Sequence, residues 1–183
     1  MPGKAEVIMH PRRLRILEAL GQEQLTTQEI AARLPDEPKS SIYRHLKILL
    51  DAGIVAVVAT RPVKGVEEKV YAVAGPARLG PQDVAGLPAD VHLRYFTAFL
   101  MYLLQGFESY LARNQPIDYV AQRVGYTEVH FQATDEEFAA MAHVLNAALF
   151  PLLQHPPGPG RRPQKLATIT FPLPPAPDPP DGP

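Results

Sequence analysis

The chain is predicted to be α+β and mainly helical, on three observations. Four stretches, near residues 11–20, 27–34, 38–52 and 90–114, space their apolar residues at the steps of three and four that line one face of a helix. Between the third and the fourth, two Val- and Ile-rich runs flank a short turn. A strand, helix, strand order then closes the folded part, between residues 125 and 171.

The first helix opens at Pro11 and runs to Leu20, with Leu14, Leu17 and Leu20 spaced at three and Gly21 ending it. Arg12, Arg13 and Arg15 lie around its polar side, where they either solvate the helix or contact phosphate. Thr26 followed by Glu29 has the spacing of a capping box ahead of Ile30, Ala31 and Leu34, so a second helix should span about Thr27 to Leu34, stopped by Pro35. Asp36, Glu37 and Pro38 form the turn into a third helix, marked by Pro38 at its start and Gly53 past its end. Its apolar stripe is Ile42, Leu46, Leu49 and Leu50. At 100° per residue that stripe leaves Ser40, Arg44 and Lys47 opposite, flanked by Lys39, Ser41 and Tyr43. A face built of donors, rather than of mixed-sign charge, is what a DNA recognition helix needs, and the second and third helices together make a helix-turn-helix.

Ile54–Thr60 and Val66–Val73 read as two strands, with Arg61-Pro-Val-Lys-Gly as the turn between them. Three helices followed by a β-hairpin is the winged-helix order. Arg61 and Lys64 are expected at the wing tip beside the DNA backbone, while the third helix enters the major groove.

Three segments carry a family resemblance: His-Pro-Arg-Arg-Leu-Arg-Ile-Leu-Glu-Ala-Leu at 10–20, Leu-Thr-Thr-Gln-Glu-Ile-Ala at 25–31, and Ser-Ile-Tyr-Arg-His-Leu-Lys-Ile-Leu-Leu-Asp-Ala-Gly-Ile-Val at 41–55. They resemble the three helices of ArsR-type bacterial transcriptional regulators over roughly residues 9–75. The resemblance implies a homodimeric, operator-binding regulator, usually a repressor released by a signal. Metal-sensing members carry a cysteine motif, or a paired Asp-x-His with a distal His on the last helix. This chain has no cysteine, and Asp90-x-His92 is followed at the expected distance by Leu103, so metal sensing is not carried over.

Composition sets the bounds. With 183 residues, 46% of them hydrophobic, the chain can bury one or two small domains. The absence of cysteine excludes disulfides, thiolate metal ligands and cysteine nucleophiles, and suits the cytoplasm. Neither a secretory signal nor a membrane span is visible: the longest charge-free apolar region, 95–107, is too short to cross a bilayer. The net charge is −1, but 11 of the 18 Lys+Arg and 9 of the 19 Asp+Glu fall in residues 1–75, an asymmetry that permits a local nucleic-acid patch without indicating one.

After a loop rich in Pro and Gly, a helix from about Pro88 to Asn114 carries Leu93, Phe96, Phe99, Leu100, Leu103, Leu104, Phe107 and Leu111. So wide an apolar surface must be covered on two sides. The preferred partners are its own subunit and a symmetry mate. Phe96, Leu100, Leu103 and Phe107 form the expected dimer seam, helped by Leu14 of the first helix. Core packing, or the floor of a ligand pocket, are the other readings of these side chains.

Thr127, Val129 and Phe131 alternate with polar residues as a strand, and Thr134 with Glu137 repeats the capping-box spacing. A helix with Phe138, Met141, Leu145, Ala148 and Leu149 on one stripe should end or kink at Pro151; Ala167, Ile169 and Phe171 mark a second strand. The proline-dense tail is expected to be disordered. Residues 8–75 are therefore assigned to a winged helix-turn-helix DNA-binding domain, 88–171 to dimerisation with room for a small-molecule effector, and 172–183 to the tail.

Enzymatic chemistry finds no support: there is no Gly-rich phosphate loop, no zinc-type His pair, and Asp135, Glu136 and Glu137 sit where a helix N-terminus favours carboxylates anyway. No catalytic residue, cofactor or metal ligand is assigned. The expected partners are double-stranded DNA and a second copy of the chain, without a membrane. The competing reading is a winged-helix module that docks another protein. Such a module tends to put apolar or acidic groups where this one puts Ser40, Arg44 and Lys47.

Overall fold

A computed structural model describes residues 3–21, 23–63, 65–74, 79–113, 116–156 and 158–174. The elements run α1 (Lys4–Ile8), α2 (Pro11–Leu20), β1 (Leu25–Thr26), α3 (Thr27–Arg33), α4 (Lys39–Asp51), β2 (Val55–Val63), β3 (Val66–Val73), α5 (Pro81–Val84), α6 (Ala89–Arg113) and α7 (Asp135–Leu153). The chain divides into two compact units, Met1–Val124 and Gly125–Pro183.

Local chemistry starts and stops the helices of the first unit. Pro11 opens α2, where its missing N–H costs nothing, and the Arg12 N–H donates to Nδ1 of His10 at 3.3 Å. The box at α3 is complete: the Thr26 N–H donates to Glu29 Oε2 at 2.7 Å and the Glu29 N–H to Thr26 Oγ1 at 3.3 Å. Gly53 takes φ +69° just past α4, a conformation strained for any side chain, and the chain turns there into β2. Ile42, Leu46 and Leu49 of α4 are at most 2% exposed, and they pack with Ile16, Leu20, Ile30, Val55 and Tyr71 into one core. At about 1.5–3 kcal/mol for each large apolar side chain fully removed from water, this one stripe fixes how α4 is rotated.

The wing is a three-stranded antiparallel sheet in the order β1-β3-β2. β1, too short to show a period in sequence, pairs Leu25 with Tyr71 and Thr26 with Val70, joining the start of α3 to the hairpin. The ladder of β2 continues through Arg61 to Val63, so Arg61 stands opposite Glu68 within a strand and not in the turn. Pro62 is tolerated there because β2 is an edge strand, on which a missing N–H leaves no ladder bond unmade. The three helices, the hairpin and the long helix that follows make a winged helix-turn-helix of the α+β class.

The arginines of α2 serve a purpose that their charge alone did not suggest. Arg15, 7% exposed, grips Asp36 with two 2.6 Å bonds and reaches Glu37 at 3.0 Å, and Arg12 Nε lies 3.1 Å from Glu37. Arg13 donates to the Glu6 carbonyl. The turn between α3 and α4 is thereby tied to α2.

α6 spans nearly the predicted range and packs on α2. None of its residues is fully buried. Leu93, Phe96, Leu100, Met101 and Leu104 remain 38–65% exposed on one side. Leu103 and Phe107 are half-buried, so the outward stripe follows Leu93, Phe96, Leu100 and Leu104 rather than Leu103 and Phe107. Leu14 is half-buried against the core.

In the second unit, Thr134 caps α7 in a full capping box, as its spacing predicts. The helix does not end at Phe150 but continues through Pro151 to Leu153. A proline costs a helix the bond to the residue four back, and here only the last turn is left to lose it. Residues 125–133 and 161–174 carry no regular secondary structure and form no ladder among the described residues, which corrects the expected strand, helix, strand layer. Of the predicted disordered tail, 172–174 carry no regular secondary structure and 175–183 lie outside the described residues. No helix among the described residues is long and apolar enough to cross a membrane.

Candidate nucleic-acid interface

With its apolar stripe in the core, α4 turns the predicted polar face outward. Lys39, Ser40, Tyr43, Arg44 and Lys47 are all exposed, Tyr43 by 54%. No side chain caps the N-terminus of α4, so the helix presents its first backbone N–H groups and Lys39 at one end. Lys47 Nζ lies 2.9 Å from Asp51 one turn on, an exposed pair of the kind that contributes little and rearranges readily.

Two of the predicted contact residues stand elsewhere. Ser41 is 7% exposed and accepts a 3.2 Å bond from Arg12, so it belongs to the α2–α4 joint. Arg61 projects toward α3, 3.3 Å from both Glu29 and the Gln24 carbonyl, while its strand neighbour Glu68 accepts from Gln28. The hairpin is thus clasped to the start of α3. Lys64 lies outside the described residues. What the sequence missed here are the acidic partners Glu29, Asp36 and Glu37; each is remote from its arginine along the chain, which is why no local pattern marks the pairing.

Behind the exposed face, the rings of His45 (α4) and His10 (the cap of α2) lie 4.7 Å apart, tilted by 38°. His45 is 5% exposed, with Nδ1 unpartnered and Nε2 3.5 Å from the Arg44 guanidinium. Burial, then the nearby His10, Arg44, Arg13 and Arg12, pushes its pKa down from 6.5 to about 4. His10 is lowered too, first by burial and then by Arg13, Arg12 and Arg44. A histidine whose pKa falls on folding is protonated more readily in the unfolded chain. Its contribution is therefore intact above the unfolded value and lost as pH drops from about 6.5 towards 4. Stability should fall by roughly 2–3 kcal/mol across that window, and His45→Phe should remove most of the slope. Urea titrations at neutral and mildly acidic pH measure this; an equal slope in both proteins would mean that other groups carry it.

Among the described residues no cluster of three or more His, Cys, Asp or Glu could hold a metal ion. The arrangement is an exposed helix face of donors, of the kind that can meet phosphates and base edges.

Residues 8–58 match the family described as "Helix-turn-helix domain", over the segment from just before α2 into β2. Among solved structures, the chain is similar to one titled "Crystal structure of Possible transcriptional regulator for arsenical resistance", at 21% identity, with 69% of this chain and all of that chain covered and a TM-score of 0.33. No curated protein matches.

Proposed function

We propose that this chain is a sequence-specific DNA-binding transcription regulator of ArsR type, acting as a homodimeric repressor on an inverted-repeat operator. The helix-turn-helix match over 8–58 supports the coarser part, a DNA-binding regulator. One observation supports the reading of DNA sequence: α4 holds its apolar stripe in the core and turns Ser40, Arg44 and Lys47, with Lys39 and Tyr43, to solvent on a single helix. In the major groove those donors meet base-edge acceptors, while Lys39 and Lys64 serve phosphates. Ser41 and Arg61 act behind this face, as supports of the helix and the wing. The region 88–171 provides dimerisation and the response to an effector. Arsenical resistance, named for the similar structure, is not carried to this chain, which offers no thiolate.

Selection from a random DNA pool tests the reading directly. An enriched inverted repeat is expected, and recovery of no motif would favour the protein-docking alternative. Arg44→Ala should then cost about 1–3 kcal/mol on the selected site and relax preference at one base position per half-site. Unchanged specificity, measured by anisotropy on single-base variants, would mean that α4 does not read the groove through Arg44.

A further inference from the structure

Around the third helix of the helix-turn-helix, most cations are taken by carboxylates. Arg12 and Arg15 hold Glu37 and Asp36, Arg61 holds Glu29, and Lys47 holds Asp51. Arg44 is held differently. Among the described residues no salt bridge reaches it, and the partner of its side chain is a neutral ring: Arg44 Nη2 donates to His45 Nε2 at 3.5 Å.

That contact dictates where a proton sits. A guanidinium can only donate, so His45 must accept at Nε2 and carry its hydrogen on Nδ1, the reverse of the form that a free histidine favours. Protonated, the ring would have no lone pair to offer and would set a second charge beside the guanidinium. Its surroundings keep it neutral. The ring is 5% exposed, and the groups that face it are His10, Arg12 and Arg13 from α2 and Arg44 from its own helix, all of them basic. The acids of this joint are committed elsewhere, Glu37 to Arg12 and Arg15, and Asp36 to Arg15. Of the other elements packed on α4, α1 brings Lys4, paired with Asp83, and Glu6, beside Arg13; α3 brings Glu29 and Arg33, turned to Arg61 and Glu23; β2 brings Arg61. His10, itself fixed by the bond its Nδ1 accepts from the Arg12 N–H, walls the ring in at 4.7 Å.

We propose that His45 is a positioning residue for sequence reading: its buried Nε2 aims the Arg44 guanidinium while leaving the charge of that arginine unspent for the base it meets. The inference rests on the reading of α4 as the helix that enters the groove. A carboxylate in this place would aim the same side chain but cancel its charge, and would have to be displaced before a guanine could be gripped at both of its acceptors. A neutral buried acceptor takes one guanidinium donor, leaves the others, and sets the rotamer beforehand, which lowers the ordering cost of binding.

The test is base discrimination, taken as the ratio of affinities for the selected operator and for a variant changed at the base pair that Arg44→Ala identifies. His45→Phe keeps a buried ring and removes the acceptor; it should cut this ratio about fivefold, the worth of one hydrogen bond, and leave discrimination at other base pairs unchanged. His45→Gln, whose Oε1 can accept in place of Nε2, should restore most of it. In the Arg44→Ala background neither substitution should change the ratio further. For the unaltered protein the ratio should hold at neutral pH and fall below about pH 5, while that of His45→Gln stays level; unfolding lowers both affinities alike and leaves the ratio untouched. Ring nitrogen shifts, recorded without DNA, are the second arm. They should show Nδ1–H on His45 in the unaltered protein and a move towards Nε2–H in Arg44→Ala. Discrimination that survives in His45→Phe, that falls equally at every base pair, or that His45→Gln does not restore would overturn the proposal, as would Nε2–H on His45 in the unaltered protein. If Arg44→Ala itself leaves specificity unchanged, the groove reading falls and this inference with it, a result told apart from the others because His45 is intact in that variant.

Discussion

Arg15→Ala is expected to destabilise the first unit by about 3 kcal/mol and to weaken DNA binding with it, although Arg15 touches no DNA in this reading. Arg15 is buried on α2, and Glu37, whose carboxylate it shares with Arg12, is only 9% exposed. Removing the guanidinium leaves a desolvated carboxylate with one partner, at 3.1 Å, instead of two. The Asp36 carboxylate is 56% exposed and can return to water, so its loss adds little. Asp36 and Glu37 lead directly into Pro38, so the same loss loosens the turn that aims α4. Arg15→Lys should rescue only in part, because a point charge cannot reproduce the two-pronged grip on Asp36. Arg15→Met with Glu37→Gln should recover much of the loss by removing the stranded charge. A urea midpoint that moves for Arg15→Ala at constant slope is the measurement; an unmoved midpoint would reduce the network to surface decoration. Acid probes the same joint. Arg15, by hydrogen bonding, holds the Asp36 carboxyl below its ordinary 3.8, so this stabilisation is present above that value and lost as pH falls through the lower, folded pKa.

Much of the first unit was legible because it is encoded locally. α2, α3 and α4 each carry a stop or start residue at the right offset and an apolar stripe of the right period, and their ends fall within a residue or two of expectation. β1 was not legible, since two residues cannot display an alternation; only the pairing of Thr26 with Val70 defines it. Arg61-Pro62 read as turn because proline argues against a central strand, and whether a strand is at an edge is settled by topology, not composition. The partners of Ser41 and Arg15 were not legible for one reason: helical projection shows which side a residue occupies, but not that Arg12 has come to meet Ser41 from 29 positions away, or Asp36 and Glu37 to meet Arg15 from 21 and 22. The second unit failed differently. Alternation around Val129 and Ile169 predicts strands, but a strand needs a neighbour to pair with, and none pairs with either segment among the described residues.

The largest effect is expected at α6. Leu100→Asp together with Leu104→Asp should abolish tight binding to an inverted-repeat operator while leaving half-site binding intact. In a single chain these leucines are 42% and 50% exposed, in line with Phe96 and Leu93 on the side of the helix that carries the outward stripe. The substitutions therefore leave the fold of the first unit, and its melting, nearly unchanged. Leu103, half-buried, would test the fold instead. If the stripe meets its symmetry mate, each interface gains four carboxylates at a desolvated contact and loses four buried leucines. The cost should be at least about 5 kcal/mol, more than three orders of magnitude in association. One recognition helix reads only three or four base edges, so two must be held about one DNA turn apart for their discrimination to combine, and that spacing is what the seam supplies. Sedimentation should show the mass moving towards the monomer. Anisotropy on whole and half operators measures the rest. A double variant that still binds the whole operator as tightly as the unaltered chain would place the dimer contact away from α6.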